Sequence, residues 1–193
     1  MFRRAPLILA LTVAATPLAA QQPAAGAAAM GLAAAPSTRA SAIVNLSTPR
    51  EAPVADSARI RIDYGQPHLR GRKLHTGNLV PLDSVWRLGA NEATELETGV
   101  DLLIGGQPVP KGKYTLFALP TAAGWKLIVN KNPGNEYKAE HDLVRIDLRK
   151  RALAAPTESL SITLIPATVP GKPAGELRIA WGDAELSTTW SMR

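Results

Sequence analysis

Arg70, Arg72, Lys73 and Arg87 are the first side chains that could do chemistry, because guanidinium forks grip carboxylate or phosphate at two points. Gly71 between them lets a ligand come close to the backbone. Asn91, Glu92 and Thr94 add acceptors and donors, and Trp86 or Tyr64 could supply an apolar wall. If the loop from Pro67 to Leu79 folds over the segment Val85 to Thr94, then Arg72, Lys73, Trp86, Arg87, Asn91 and Glu92 make one ligand-binding patch. The competing outcome is internal: Arg72 and Arg87 pair with Glu92 or Asp83 and lock two loops together.

Two further groups have suggestive residue types. His68, His75 and His141, with Glu140 or Asp142, could complete an open zinc site. But His68 and His75 flank the cationic Gly71-Arg72-Lys73, whose charge opposes a divalent ion, so they read as solvent-facing loop histidines and no metal or other cofactor is expected. Glu92, Glu95 and Glu97 could run glycoside hydrolysis if two carboxylates faced each other at about 5 to 10 Å. On a strand Glu95 and Glu97 share one face about 7 Å apart, which also suits a solvated edge that discourages edge pairing. No catalytic residue is assigned. There is no Gly-x-Ser-x-Gly elbow, phosphate loop or dinucleotide fingerprint, and the absence of cysteine excludes disulfides, thiol catalysis and a lipoprotein thiol.

The elements that must position these residues begin after an export signal. Arg3-Arg4, the apolar run Leu7 to Ala15 and the small pair Ala19-Ala20 make residues 1–20 a signal peptide, since a membrane span needs about 20 apolar residues without a break such as Thr16-Pro17. Residues 21–38, mostly alanine, proline and glycine, read as a flexible spacer, leaving 39–193 as one domain. Lys plus Arg total 22 against 16 Asp plus Glu, and setting Arg3 and Arg4 aside leaves +4. Charges of both signs alternate instead of forming a stripe, which argues against nucleic acid as a partner.

Within 39–193 the period is two. Arg59 to Tyr64 places Ile60, Ile62 and Tyr64 on one face. Similar runs follow at Val85–Leu88, Ala93–Thr98, Val100–Ile104, Lys113–Leu119, Trp125–Asn130, Leu143–Leu148, Leu160–Ile165, Glu176–Trp181 and Glu185–Trp190. Gly, Pro and Asn turn signals separate them. Nine or ten short strands predict an all-β, antiparallel sandwich or barrel, with one helical turn at Pro81–Val85. Gly105 to Gly112, carrying Pro108 and Pro110, cannot be a central strand and reads as a rigid exposed bend. Trp125 and Trp181, inside apolar runs, read as core.

Tyr64, Pro67, Gly71-Arg72-Lys73, Leu79-Val80-Pro81 and Val85-Trp86-Arg87-Leu88-Gly89-Ala90-Asn91-Glu92-Ala93-Thr94 resemble a bacterial family of exported proteins known only as a domain of unknown function. Pro108 to Pro120, Trp125 and Asn130-Lys131 resemble its second motif, and Asp142, Arg145, Glu158 and Trp181 its later landmarks. The resemblance spans about residues 39 to 190. Asn132 to His141 is shorter than that family's usual loop and lacks its Trp-Gly pair, and Trp190 is unusual. Members sometimes carry the label asparagine synthetase B, which this chain's chemistry contradicts: it has neither the nucleophilic cysteine nor the pyrophosphate loop.

The reading is therefore a periplasmic or secreted binding or interaction module for a small anionic or carbohydrate-like ligand in the cell envelope. No membrane span remains once the signal peptide is removed. Two alternatives stay open: an envelope hydrolase using Glu92 as acid or base, and a purely structural domain that packs on a partner.

Overall fold

The computed structural model describes residues 35–46, 59–74, 79–168 and 171–193. The expected signal peptide, spacer residues 21–34 and His75 lie outside the described residues. Alternation of apolar and polar residues produces β1 (Thr38–Asn45), β2 (Arg59–Gln66), β3 (Thr94–Thr98), β4 (Leu102–Ile104), β5 (Gln107–Val109), β6 (Gly112–Thr121), β7 (Gly124–Asn130), β8 (Asp142–Pro166) and β9 (Ala174–Met192). A 3-10 turn, Ala139–His141, precedes β8. The strands form one antiparallel sheet in the order β1-β2-β3-β6-β7-β8-β9-β4-β5, which does not close into a barrel.

The sheet bends over its own apolar face. Ile60 and Ile62 of β2, Leu96 of β3, Leu116 of β6 and Leu127 of β7 meet Leu102 and Ile104 of β4 and Leu177 and Trp190 of β9, all buried. Without disulfides, this burial is the main source of stability, each large side chain contributing about 1.5–3 kcal/mol. The bend is made by the β8–β9 ribbon, whose register shifts at Ala152/Thr157 and Thr157/Ser161 opposite Gly182 at φ 65°. Bulges sharpen the local twist. The ribbon curls until the Met192 N–H donates to the Pro173 carbonyl at 2.8 Å, bringing the two ends of β9 together. Beyond β2, the chain crosses to the same ribbon: Leu69 N–H donates to Glu158 O at 2.8 Å and Leu160 N–H to Pro67 O at 3.0 Å.

Several sequence expectations need correction. The four runs Leu143–Leu148, Leu160–Ile165, Glu176–Trp181 and Glu185–Trp190 are two long strands, because bulges continue the ladder where turns were expected. Val85–Leu88 is not a strand; it touches the sheet by one bridge, Trp86 to Ala118, before Leu88 turns away at φ 54°. Pro81–Val85 is an irregular turn with Asp83 at φ 58°, its N–H bonded to Pro120 O at 2.8 Å, so no helix forms. Gln107–Val109 of the expected bend is an edge strand on β4, with Val109 fully buried. Finally, β1 had no counterpart in the sequence reading. Among the described residues no helix is long and apolar enough to cross a membrane.

Candidate functional site

The segment from Trp86 to Thr94 is a knot held by its own backbone. Trp86 exchanges two 2.8 Å backbone hydrogen bonds with Ala118 and stacks on Trp181, centroids 5.5 Å apart. Leu88, wholly buried, and Asn91 both adopt left-handed backbone, φ 54° and 60°. The Thr94 hydroxyl, also buried, donates to Leu88 O at 2.9 Å. Ala90 N–H donates to Gly65 O at 3.1 Å, and the contact is so close that a Cβ on Gly65 would stand 1.7 Å from Ala90 O. Arg87 donates to Asn91 O at 3.0 Å, closing the turn, and the Asn91 amide donates to Ser37 O at 3.3 Å. Arg39 of β1 donates to Glu92 O and Ala93 O at 3.3 and 3.2 Å.

Arg39 also reaches Asp63 of β2, which accepts from Arg39 Nε at 2.8 Å, from Ser41 at 2.6 Å and from Arg61. Burial alone would raise the Asp63 carboxyl; the hydrogen bonds from Ser41 and Arg39, with the charges of Arg39 and Arg61, hold it below the ordinary carboxylate value.

The other half of the expected patch sits on a separate loop. Arg72 donates to Leu69 O and His68 O, each at 2.9 Å, and Lys73 is exposed beside it. Arg70 donates through its N–H to the Glu158 carboxylate at 2.6 Å and through its side chain to Pro36 O at 2.9 Å. The internal partners of Arg72 and Arg87 are thus backbone carbonyls, not Glu92 or Asp83. Glu92 is exposed on the knot. His68 contacts the Ser159 hydroxyl at 2.6 Å, while His141 is exposed at the end of the 3-10 turn.

A different place gathers charged groups around open space. On the outward face, Glu95 and Glu97 share one side of β3, as their spacing requires. Register sets Glu95 beside Thr115 of β6, and Thr115 beside Asn130 of β7. Thr115 is small, so a cleft of about 180 Å³ opens there, with Arg61, Glu95 and Glu97 along one wall, Lys113 at one end, and Lys131, Asn132 and Pro133 along the other. Glu97 lies 3.9 Å from Lys113 and 4.0 Å from Arg59. Among the described residues, Glu95 and Lys131 have no ion-pair partner.

The far wall is fixed by hydrogen bonds. The buried Asn130 accepts from Asn132 N–H at 2.8 Å and donates to Lys138 O and Asp142 Oδ1, both at 2.8 Å. Thr115 donates to Asn132 O at 2.8 Å, and Lys131 N–H donates to His141 O at 2.9 Å. Behind them the Tyr137 hydroxyl donates to Asp142 Oδ2 at 2.8 Å and accepts from Arg145 at 2.7 Å. The Tyr137 ring packs edge-on against Phe117 at 5.1 Å. Burial and the Asp142 carboxylate raise the Tyr137 hydroxyl above its usual range, so it stays a donor. Asn130, Lys131 and Arg145, marked in the sequence only as landmarks of a resemblance, meet here with Asp142, which the sequence offered both as such a landmark and as a possible zinc carboxylate. Sequence reasoning missed Arg61, Lys113, Thr115 and Lys131 as site residues. The usable signal was the outward alternation of Glu95 and Glu97 beside strands with lysines at matching outward positions.

The family model described as a protein of unknown function (DUF2911) matches residues 48–189, well over half of the chain, and the chain belongs to that family. No curated protein and no solved structure matches it. β1 lies before the matched region.

Proposed function

We propose that this protein is an exported binding module of the cell envelope, holding a small charged ligand in the cleft above Thr115. The observation that carries this reading is the cleft itself. Five charged side chains surround about 180 Å³ of open space, and the backbone of its far wall is fixed before any ligand arrives. Fixed walls lower the ordering cost of binding. Small anionic or carbohydrate-like ligands suit it, since Lys113, Lys131 and Arg61 offer donors and Glu95 accepts hydroxyl or ammonium protons. The patch of Arg72, Lys73, Trp86, Arg87, Asn91 and Glu92 is the second place to look. It ranks below the cleft because the forks of Arg72 and Arg87 already donate to carbonyls. Export is supported by Arg3-Arg4 and the apolar run Leu7 to Ala15.

Native mass spectrometry of the protein purified from its own envelope fraction tests this. A retained small molecule that Lys131→Ala loses and Arg87→Ala keeps is the expected result. Loss in Arg87→Ala alone moves the site to the knot, and retention in both variants overturns both placements.

A further inference from the structure

Resting on that reading of the cleft, we infer that its ligand is a zwitterion, carrying an ammonium group that Glu95 accepts and a carboxylate that Lys131 binds, as in a short peptide or an amino acid. The register places Glu95 and Lys131 on opposite sides of Thr115. Glu95 is paired with Thr115, and Thr115 with Asn130, the residue before Lys131. Two strand spacings separate the walls, about 10 Å at the backbone. Glu95 and Lys131 both line the cleft, Glu95 from β3 on one side and Lys131 from the turn after β7 on the other.

The neighbours divide the cleft into two electrostatic ends. On the β2 side, Arg61 is engaged by Asp63 and Ser41. Asp63 stands directly opposite Glu95 in the ladder, so the two carboxylates are cross-strand neighbours on one face. Like charges opposite one another are destabilising until a cation lies between or beside them. Arg39 and Arg61 serve Asp63, and Glu95 has no such partner among the described residues. An incoming ammonium supplies one. On the opposite wall Lys131 is exposed, and its backbone is fixed by His141 O while the neighbouring Asn132 is held by Asn130 and Thr115. An anion there gains a cation that has no ion-pair partner among the described residues. A purely anionic ligand long enough to fill the cleft would set its second charge against Glu95 and Asp63, and a purely cationic one would meet Lys131.

The experiment is an NMR titration of the full-length chain with three probes: glycylglycine, which carries both charges, N-acetylglycine, which carries only the carboxylate, and glycinamide, which carries only the ammonium. Glycylglycine is expected to shift the amides of Glu95, Thr115 and Lys131 and to bind at least tenfold tighter than either single-charge probe. In Glu95→Gln that advantage over N-acetylglycine should vanish, while N-acetylglycine affinity does not fall. Equal affinity for N-acetylglycine and glycylglycine in the wild type overturns the zwitterion and leaves an anion-binding cleft. No shift at these amides with any probe overturns the cleft as a site for small charged ligands as well.

Discussion

The knot at Trp86–Thr94 and the cleft above Thr115 have similar composition, each combining Arg or Lys with Glu and small residues, yet they use their polar groups in opposite ways. In the knot, Arg87, Asn91 and Thr94 donate to Asn91 O, Ser37 O and Leu88 O, so these side chains complete the backbone's own hydrogen bonding. In the cleft the hydrogen bonds hold the wall from behind, through Asn130 and Thr115, and charged ends are left facing open space. A motif dense in arginine, asparagine and glutamate is therefore not by itself a binding site. What separates the two is whether main-chain carbonyls already occupy the donors.

The sharpest way to break the comparison is at Gly65. Its Cα lies so close to Ala90 that an added Cβ would stand 1.7 Å from the carbonyl oxygen and 2.7 Å from the carbonyl carbon, both backbone atoms that cannot rotate away. Gly65→Ala must push the knot off β2. It is expected to cost about 3 kcal/mol or more, at the upper end of overpacking effects. Urea denaturation followed by tryptophan fluorescence measures it, and Trp86 makes the signal sensitive to the knot. A loss below about 1 kcal/mol would show that the knot yields easily, and its status as a rigid structural element would fall.

A smaller effect separates the electrostatics of the knot's anchor from its packing. Asp63 has a carboxyl held below its ordinary value in the folded state, so its contribution is fully present above the unfolded value near pH 4 and is lost as the pH falls through the folded value. Asp63→Asn should cost about 1–2 kcal/mol at pH 6, because it removes charge-assisted bonds from Arg39, Ser41 and Arg61. The gap between variant and wild type should then narrow as the pH is lowered from 4 to 2. A gap that stays constant with pH would mean that the bonds do not depend on the charge of Asp63.

How much of this was legible depended on how far apart in sequence the partners lie. The alternation at Arg59–Tyr64, Lys113–Leu119 and Trp125–Asn130 is local, and those strands stand where the pattern puts them. β1 was not legible: in Thr38 to Asn45 only Val44 is buried, so its alanines and serine give almost no contrast between faces. Val85–Leu88 misled for the opposite reason. Its apolar pattern is real, since Leu88 is fully buried, but Leu88 reaches the core from a left-handed turn that period-two reasoning does not contain. The cleft's outward glutamates were readable as sharing a face. Its cationic side chains were not, because Arg61, Lys113 and Lys131 come from β2, β6 and the turn after β7, and each alone looks like an ordinary solvated charge.

The smallest effects sharpen the comparison most. Arg87→Ala removes one exposed hydrogen bond to Asn91 O and should cost about 0.5–1.5 kcal/mol, while leaving the amide shifts of Glu95, Thr115 and Lys131 on ligand addition unchanged. Lys131→Ala should do the reverse. Its side chain is exposed and makes no ion pair among the described residues, so stability should move by no more than about 0.5 kcal/mol in urea denaturation. Stability and binding then belong to different residues, as they must if the knot holds the fold and the cleft holds the ligand. Were Lys131→Ala to destabilise by more than about 1 kcal/mol, its ammonium would be part of the folded network like the arginines of the knot, and the physical distinction between the two regions would disappear.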